Sequence, residues 1–133
     1  MNADIFFDES LFRFGDVRTL DLRRNVLALA KWMMKREDDI SLQLRTNSQD
    51  AWIFQPPVHA DVIALSDFYM GIPRCDNRVA EVLTLAGHPV LDPAFAIHAI
   101  ELHSTKRVGS VYELKGSAPG PLRDVLLSDR HLF

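Results

Sequence analysis

The hydrophobic pattern divides the chain into short apolar runs separated by polar breaks, and each run predicts one element. Residues 3–7 (Ala-Asp-Ile-Phe-Phe) read as a strand with acids, Asp4 and Asp8, near its ends. Residues 16–24 predict a short helix or turn with Val17 and Leu20 facing inward. Residues 25–32 (Asn-Val-Leu-Ala-Leu-Ala-Lys-Trp) are almost continuously apolar. That is the signature of a strand buried on both faces, in a sheet covered by helices. Leu, Ala and Lys also favour a helix, which is the competing reading of the same run.

Residues 35–47 are polar and read as irregular, with a strand over 41–45. Residues 50–54 (Asp-Ala-Trp-Ile-Phe) form a short aromatic run that Pro56-Pro57 stops, because proline removes a donor and restricts its predecessor. Residues 62–65 predict another strand, and 68–75 a loop containing Gly71 and Pro73. The best-defined element follows. Asp76 is placed to cap a helix, Val79, Val82, Leu83 and Ala86 recur at helical spacing, and Gly87 can end it in the left-handed conformation. Residues 90–91 make a short strand. Residues 96–103 alternate as a strand, with Ile97, Ala99, Glu101 and His103 on one face. Past Gly109 the chain is rich in Gly and Pro and predicts a loop, with a short terminal helix near 122–127.

These elements define a mixed α/β chain, and 133 residues suit a single domain with a core over about 2–105 and a loop-rich tail over about 106–133. A net charge of -3 excludes a general nucleic-acid binder, which needs a phosphate-neutralising basic face. Cys75 is the sole cysteine, so neither an intrachain disulfide nor a cysteine-based zinc site can form. No secretory signal is visible and no apolar run reaches membrane-spanning length, so the expectation is a cytoplasmic protein without a membrane span.

The candidate chemistry lies in four places. Asn2-Ala3-Asp4 could offer oxygen ligands to a divalent ion, or be a turn residue and a strand-end acid. Asp8 and Glu9 read as caps for the next segment. Asp50 beside Trp52 is suited to a sugar, the ring covering an apolar face while the carboxylate takes hydroxyls; the plainer alternative is a turn cap beside two core aromatics. Asp76 is the strongest acid candidate, as a helix cap or as a rigidly held general base; Asn77 and Arg78 could bind substrate or orient that loop, and Arg78 could equally be a solvated first-turn residue. His103 is either a metal or phosphate ligand, or a structural or exposed histidine. No phosphate-binding Gly-rich loop and no Gly-x-Ser-x-Gly elbow is present.

Four blocks, taken in order, resemble the C-terminal part of GT-A-type glycosyltransferases, and more narrowly the glycosyltransferase-like proteins of bacterial polysaccharide biosynthesis. They are Asn2-Ala3-Asp4-Ile5-Phe6-Phe7-Asp8-Glu9-Ser10-Leu11, Val26-Leu27-Ala28-Leu29-Ala30-Lys31-Trp32, Ser48-Gln49-Asp50-Ala51-Trp52-Ile53-Phe54 and Asp67-Phe68-Tyr69-Met70-Gly71-Ile72-Pro73-Arg74-Cys75-Asp76-Asn77-Arg78. The likeness spans roughly residues 2–105, and its second half carries the specific motifs. It implies a partial GT-A-like sheet with flanking helices, and metal-dependent transfer of a sugar from a nucleotide sugar to an acceptor hydroxyl. Asn2 and Asp4 would stand at the family's Asp-x-Asp-type motif and His103 would complete a Mn or Mg site. Asp76 would be the base, and Asp50, Trp52, Asn77 and Arg78 would meet sugar or acceptor. The chain departs from the family in having Asn2 where an acid is usual, and in having Met1 alone where a nucleotide-binding βαβ half precedes the motif. A truncated product, a fragment and a remnant inactive on its own are the readings this leaves open. A sheet edge left bare by the missing half would invite self-association into a homo-oligomer. The alternative function is a non-catalytic carbohydrate-binding or protein-interaction module on the same scaffold.

Overall fold

The computed structural model describes residues 4–15, 20–102 and 116–128. Among these residues seven strands form two mixed sheets. The first runs β1 (Ile5–Phe7), β7 (Ala99–Leu102), β3 (Lys31–Arg36), β4 (Asp39–Leu42); the second runs β5 (Ala51–Ile53), β2 (Val26–Leu29), β6 (Val90–Leu91). Each sheet holds one parallel pair, β3 with β7 and β2 with β6, and its other pairs are antiparallel. The chain is therefore mixed α/β, as its sequence predicts.

The apolar run 25–32 is a strand and not a helix, but it is divided between the sheets. β2 belongs to one, β3 begins the other, and Ala30 is the pivot. The Ala30 N–H donates to both carboxylate oxygens of Asp92, at 3.2 and 3.1 Å. Asp92 follows β6 and is fully buried. Burial pushes its carboxyl up to about 7, against the pull of the N–H bonds from Ala30 and Ala94. β2 is buried on both faces, which explains its lack of polar alternation. Leu27 and Leu29 pack with Ile5, Ala51, Ile97 and Ala99, while Ala28 packs with Ala80 and Val125.

Two helices flank the sheets, α1 (Ala60–Leu65) and α2 (Cys75–Leu85). α1 corrects the expected strand over 62–65. The β-branched run Val62-Ile63 favours a strand locally, but the His59 ring accepts the Asp61 N–H and starts a helical turn. A 3-10 helix over Glu9–Gly15 follows β1. Asp8 opens it, its carboxylate accepting the Ser10 N–H at 2.9 Å, so Asp8 is the cap its position predicts. The polar stretch 35–47 is only partly irregular: β3 and β4 form a hairpin, the expected strand over 41–45 is β4 at Asp39–Leu42, and residues 43–47 are irregular as predicted. β4 lies at the sheet edge and all of it but Leu42 is exposed, so it carries no apolar pattern to read.

α2 ends as its sequence predicts. Gly87 stands at φ +87°, its N–H meets the Thr84 carbonyl, and the His88 N–H reaches back to Leu83. This is the Schellman arrangement that satisfies the last carbonyls of a helix. A Cβ on Gly87 would meet nothing within 4 Å, so only the backbone conformation resists substitution. Gly87→Ala is therefore expected to cost about 1 kcal/mol, read as a lowered denaturation midpoint with an unchanged slope.

The expected terminal helix over 122–127 does not form. Instead the segment crosses the molecule as an extended strap. Ala118 donates to Pro73, Arg123 to Asn77, Val125 to Thr46 and Ser128 to Asp92. Leu127 bridges Asp92 in parallel. These bonds use the N–H groups a helix would need, and Pro119 and Pro121 supply none. The strand expected over 96–103 is β7, beginning at Ala99; Ile97 sits in the turn before it, and residue 103 lies outside the described residues.

Candidate functional site

A polar cavity of about 620 Å³ opens where the two sheets meet the start of α2, within the usual range for small-molecule sites. One wall comes from the β3 and β5 segments, with Lys31, Gln49, Asp50 and Trp52; the other comes from the loop 70–74 and the first turn of α2, with Met70, Cys75 and Asp76. The loop reaches this position through two left-handed residues, Gly71 at φ +82° and Arg74 at φ +66°.

Arg74 is the residue that caps the helix, and it does so with no side-chain hydrogen bond. This corrects the expectation that Asp76 caps it. Asp76 lies one residue inside the first turn, so its carboxylate is available to the cavity wall. Among the described residues, its side-chain hydrogen-bond partner there is the Cys75 thiol, 3.7 Å away. Burial lifts the Asp76 carboxyl to about 6, the negative charge of Asp50 adds to the lift, and the Cys75 hydrogen bond and Lys31 oppose it. Burial also pushes the Cys75 thiol up, and the Asp76 charge reinforces it. Cys75 is thus a neutral donor here and a poor nucleophile or metal ligand.

Lys31 sets the charge on the opposite wall. Its ammonium is 3.0 Å from Glu101 and 3.8 Å from Asp50, and both carboxylates are buried. Gln49 adds an acceptor. Its amide nitrogen donates to the Thr46 carbonyl at 3.0 Å, while its buried Oε1 has no hydrogen-bond partner among the described residues. A buried acceptor in a cavity wall without a donor is a place for a ligand hydroxyl or N–H. Arg45 and Arg74 also line the cavity, which places cations beside the carboxylates.

Of the residues expected to carry chemistry, Asp50, Trp52 and Asp76 come together in this cavity. Asn77 and Arg78 do not join them. Asn77 is fully buried and its amide donates to Arg123 O and Asp124 Oδ1, both at 3.0 Å; Arg78 donates to Pro121 O at 3.2 Å. Both hold the C-terminal strap against α2. Asp4 is exposed and outside the cavity lining, with its carbonyl 3.4 Å from the Leu102 N–H. Asn2 and His103 lie outside the described residues. Among the described residues, no three His, Cys, Asp or Glu side chains converge as metal ligands. Lys31, Gln49, Arg45 and Arg74 were not singled out from the sequence. The one available cue was Gln49, adjacent to Asp50 in the aromatic block.

Fold and cavity together define a mixed α/β domain with a carboxylate-lined cleft. No family model matches the chain, and no curated protein or solved structure shows significant similarity to it. Among the described residues, no helix is long and apolar enough to cross a membrane.

Proposed function

We propose that the cavity is the acceptor side of a glycosyltransferase-like site, in which Asp76 takes the proton of a sugar hydroxyl. The observation that carries this reading is the pairing of two carboxylates, Asp50 and Asp76, in one cavity beside Trp52, with Asp76 lifted to about 6. A carboxylate with that value is mostly ionised at pH 7, yet it is a stronger base than an ordinary one. Asp50 and the Gln49 carbonyl accept hydroxyls, and the Trp52 ring covers an apolar sugar face.

In the transfer step the acceptor oxygen forms its bond to the anomeric carbon as the bond from that carbon to the diphosphate breaks. The acceptor proton passes to Asp76. The diphosphate leaves with the bonding electrons. A divalent cation belongs to the same proposal, and it would supply charge neutralisation to the diphosphate. The carboxylate of Asp4, the amide oxygen of Asn2 and the imidazole of His103 are a donor set such an ion accepts.

Two measurements test the reading. Calorimetry of the full chain with uridine- and guanosine-diphosphate sugars in Mn²⁺ reports the donor. Saturation-transfer NMR with free mono- and disaccharides reports the acceptor cavity. Trp52→Ala is expected to weaken saccharide binding about tenfold through loss of the apolar ring contact. A chain that binds neither saccharides nor nucleotide sugars would refute the proposal.

A further inference from the structure

Next to the polar cavity lies a second hollow of about 230 Å³, and the two share Trp52 and Met70 as a common wall. The second hollow is apolar. Phe54, Val58, Val62, Val79 and Val82 line it. Its one side-chain hydroxyl, on Ser66, is already engaged, donating to the Val62 carbonyl. α1, which lies along one side of the hollow, is six residues long and buries none of them. The same helix and the loop after it expose further apolar groups: Ile63 is 75% exposed, Tyr69 82% and Met70 63%.

We propose that the acceptor is an amphiphile, with a sugar head against Asp50 and Asp76 and an alkyl chain that passes over Trp52 and Met70 into the hollow between α1 and α2. The head group rests on the sugar-acceptor reading above; the chain rests on the second hollow. Continuity selects the occupant. A ligand seated in the polar cavity that extends past the Trp52–Met70 wall meets apolar side chains, so hydrocarbon is the extension that gains by entering. A peptide would bring backbone N–H and C=O groups into a place that offers them no partners. An apolar hollow of this kind gives water few polar partners and favours apolar ligands.

The test uses methyl, butyl, hexyl and octyl β-D-glucosides, each below its micelle-forming concentration, with calorimetry and tryptophan fluorescence as readouts. Affinity is expected to rise about fourfold per added methylene until the hollow is full. Val79→Trp blocks the hollow without touching the polar cavity, so it is expected to flatten the series and leave methyl glucoside binding as it was. Val62→Glu, on the short helix, repeats the test if circular dichroism shows that Val79→Trp does not fold. A flat series in the native chain, with methyl glucoside still bound, overturns the alkyl chain alone. Octyl tetraethylene glycol has the same tail and no sugar. If it binds as tightly as octyl glucoside, the sugar reading falls and the spanning acceptor falls with it.

Discussion

Asp76→Asn is expected to raise the melting temperature at pH 8 and, in the same protein, to slow the proposed transfer sharply. Both effects come from one cause. Folding buries the Asp76 carboxyl beside Asp50 and lifts it from 3.8 to about 6. The folded chain therefore holds this proton over a pH range where the unfolded chain has lost it. The sign follows from linkage: the contribution of Asp76 to stability is fully present below about 3.8 and is lost as pH rises through about 6. Above pH 7 the native chain carries the full penalty and the Asn variant carries none. The gain is about 1 kcal/mol, well below the full worth of the shift because the carboxylate still meets solvent. That corresponds to roughly 3 °C. At pH 3.5 the two proteins are expected to melt together. Asn retains an oxygen for the Cys75 thiol and for a ligand hydroxyl, so saccharide affinity changes little. Turnover falls by about 10²–10⁴-fold, the usual worth of a general base. On the proposed transfer reading, the native rate is expected to rise with pH up to about 6 and then level. Melting curves of the two proteins that superpose at pH 8 would remove burial as the source of a strong base at this position.

The sequence exposes this site unevenly, for reasons visible in particular residues. Trp52 and Asp50 lie two apart, in a run too aromatic to overlook. Asp76 opens a helix whose apolar spacing and terminal Gly87 are both local signals. Lys31 carries no such mark. It reads as a polar interruption in an apolar strand, and its importance appears only when β3 pairs in parallel with β7 and brings Glu101 within 3.0 Å. Gln49 is similar, because an orphaned acceptor is a property of the folded surroundings. The fold shows the same division. β2, α2 and β6 are set by local pattern and were legible. α1 was not, because a histidine cap is outside the usual cap residues and Val62-Ile63 pulls the reading toward a strand. The course of the strap 116–128 was not, because its bonds among the described residues are to residues far away in sequence. The resemblance places Asn77 and Arg78 with Asp76 at the substrate, but successive helix residues point in different directions. One helix start thus delivers Asp76 to the cavity and Asn77 to the strap.

The largest stability effect is expected at Lys31. This ammonium joins the two sheets at the floor of the site, between Glu101 on β7 and Asp50 at the start of β5. It is 16% exposed and both carboxylates are buried. Lys31→Met keeps the length and apolar stem of the side chain, so packing is retained and the cation is removed. Taking one partner from a buried ion pair costs far more than the pair's net worth, because the remaining charge stays desolvated. A loss of about 3 kcal/mol follows, or roughly 10 °C in melting temperature. A second change separates charge from packing. Glu101→Gln on the Lys31→Met background removes one of the two carboxylates, so the double variant is expected to be more stable than Lys31→Met alone. The two costs are then strongly non-additive, as they must be for groups that act on each other. Lys31 also opposes the lift on Asp76, so its removal drives that carboxyl further up and moves the acid limb of any pH–rate profile to higher pH. Denaturant titration of the native, single and double variants is the direct measurement. A double variant less stable than Lys31→Met would show that Lys31 supports the site through packing and not through its charge.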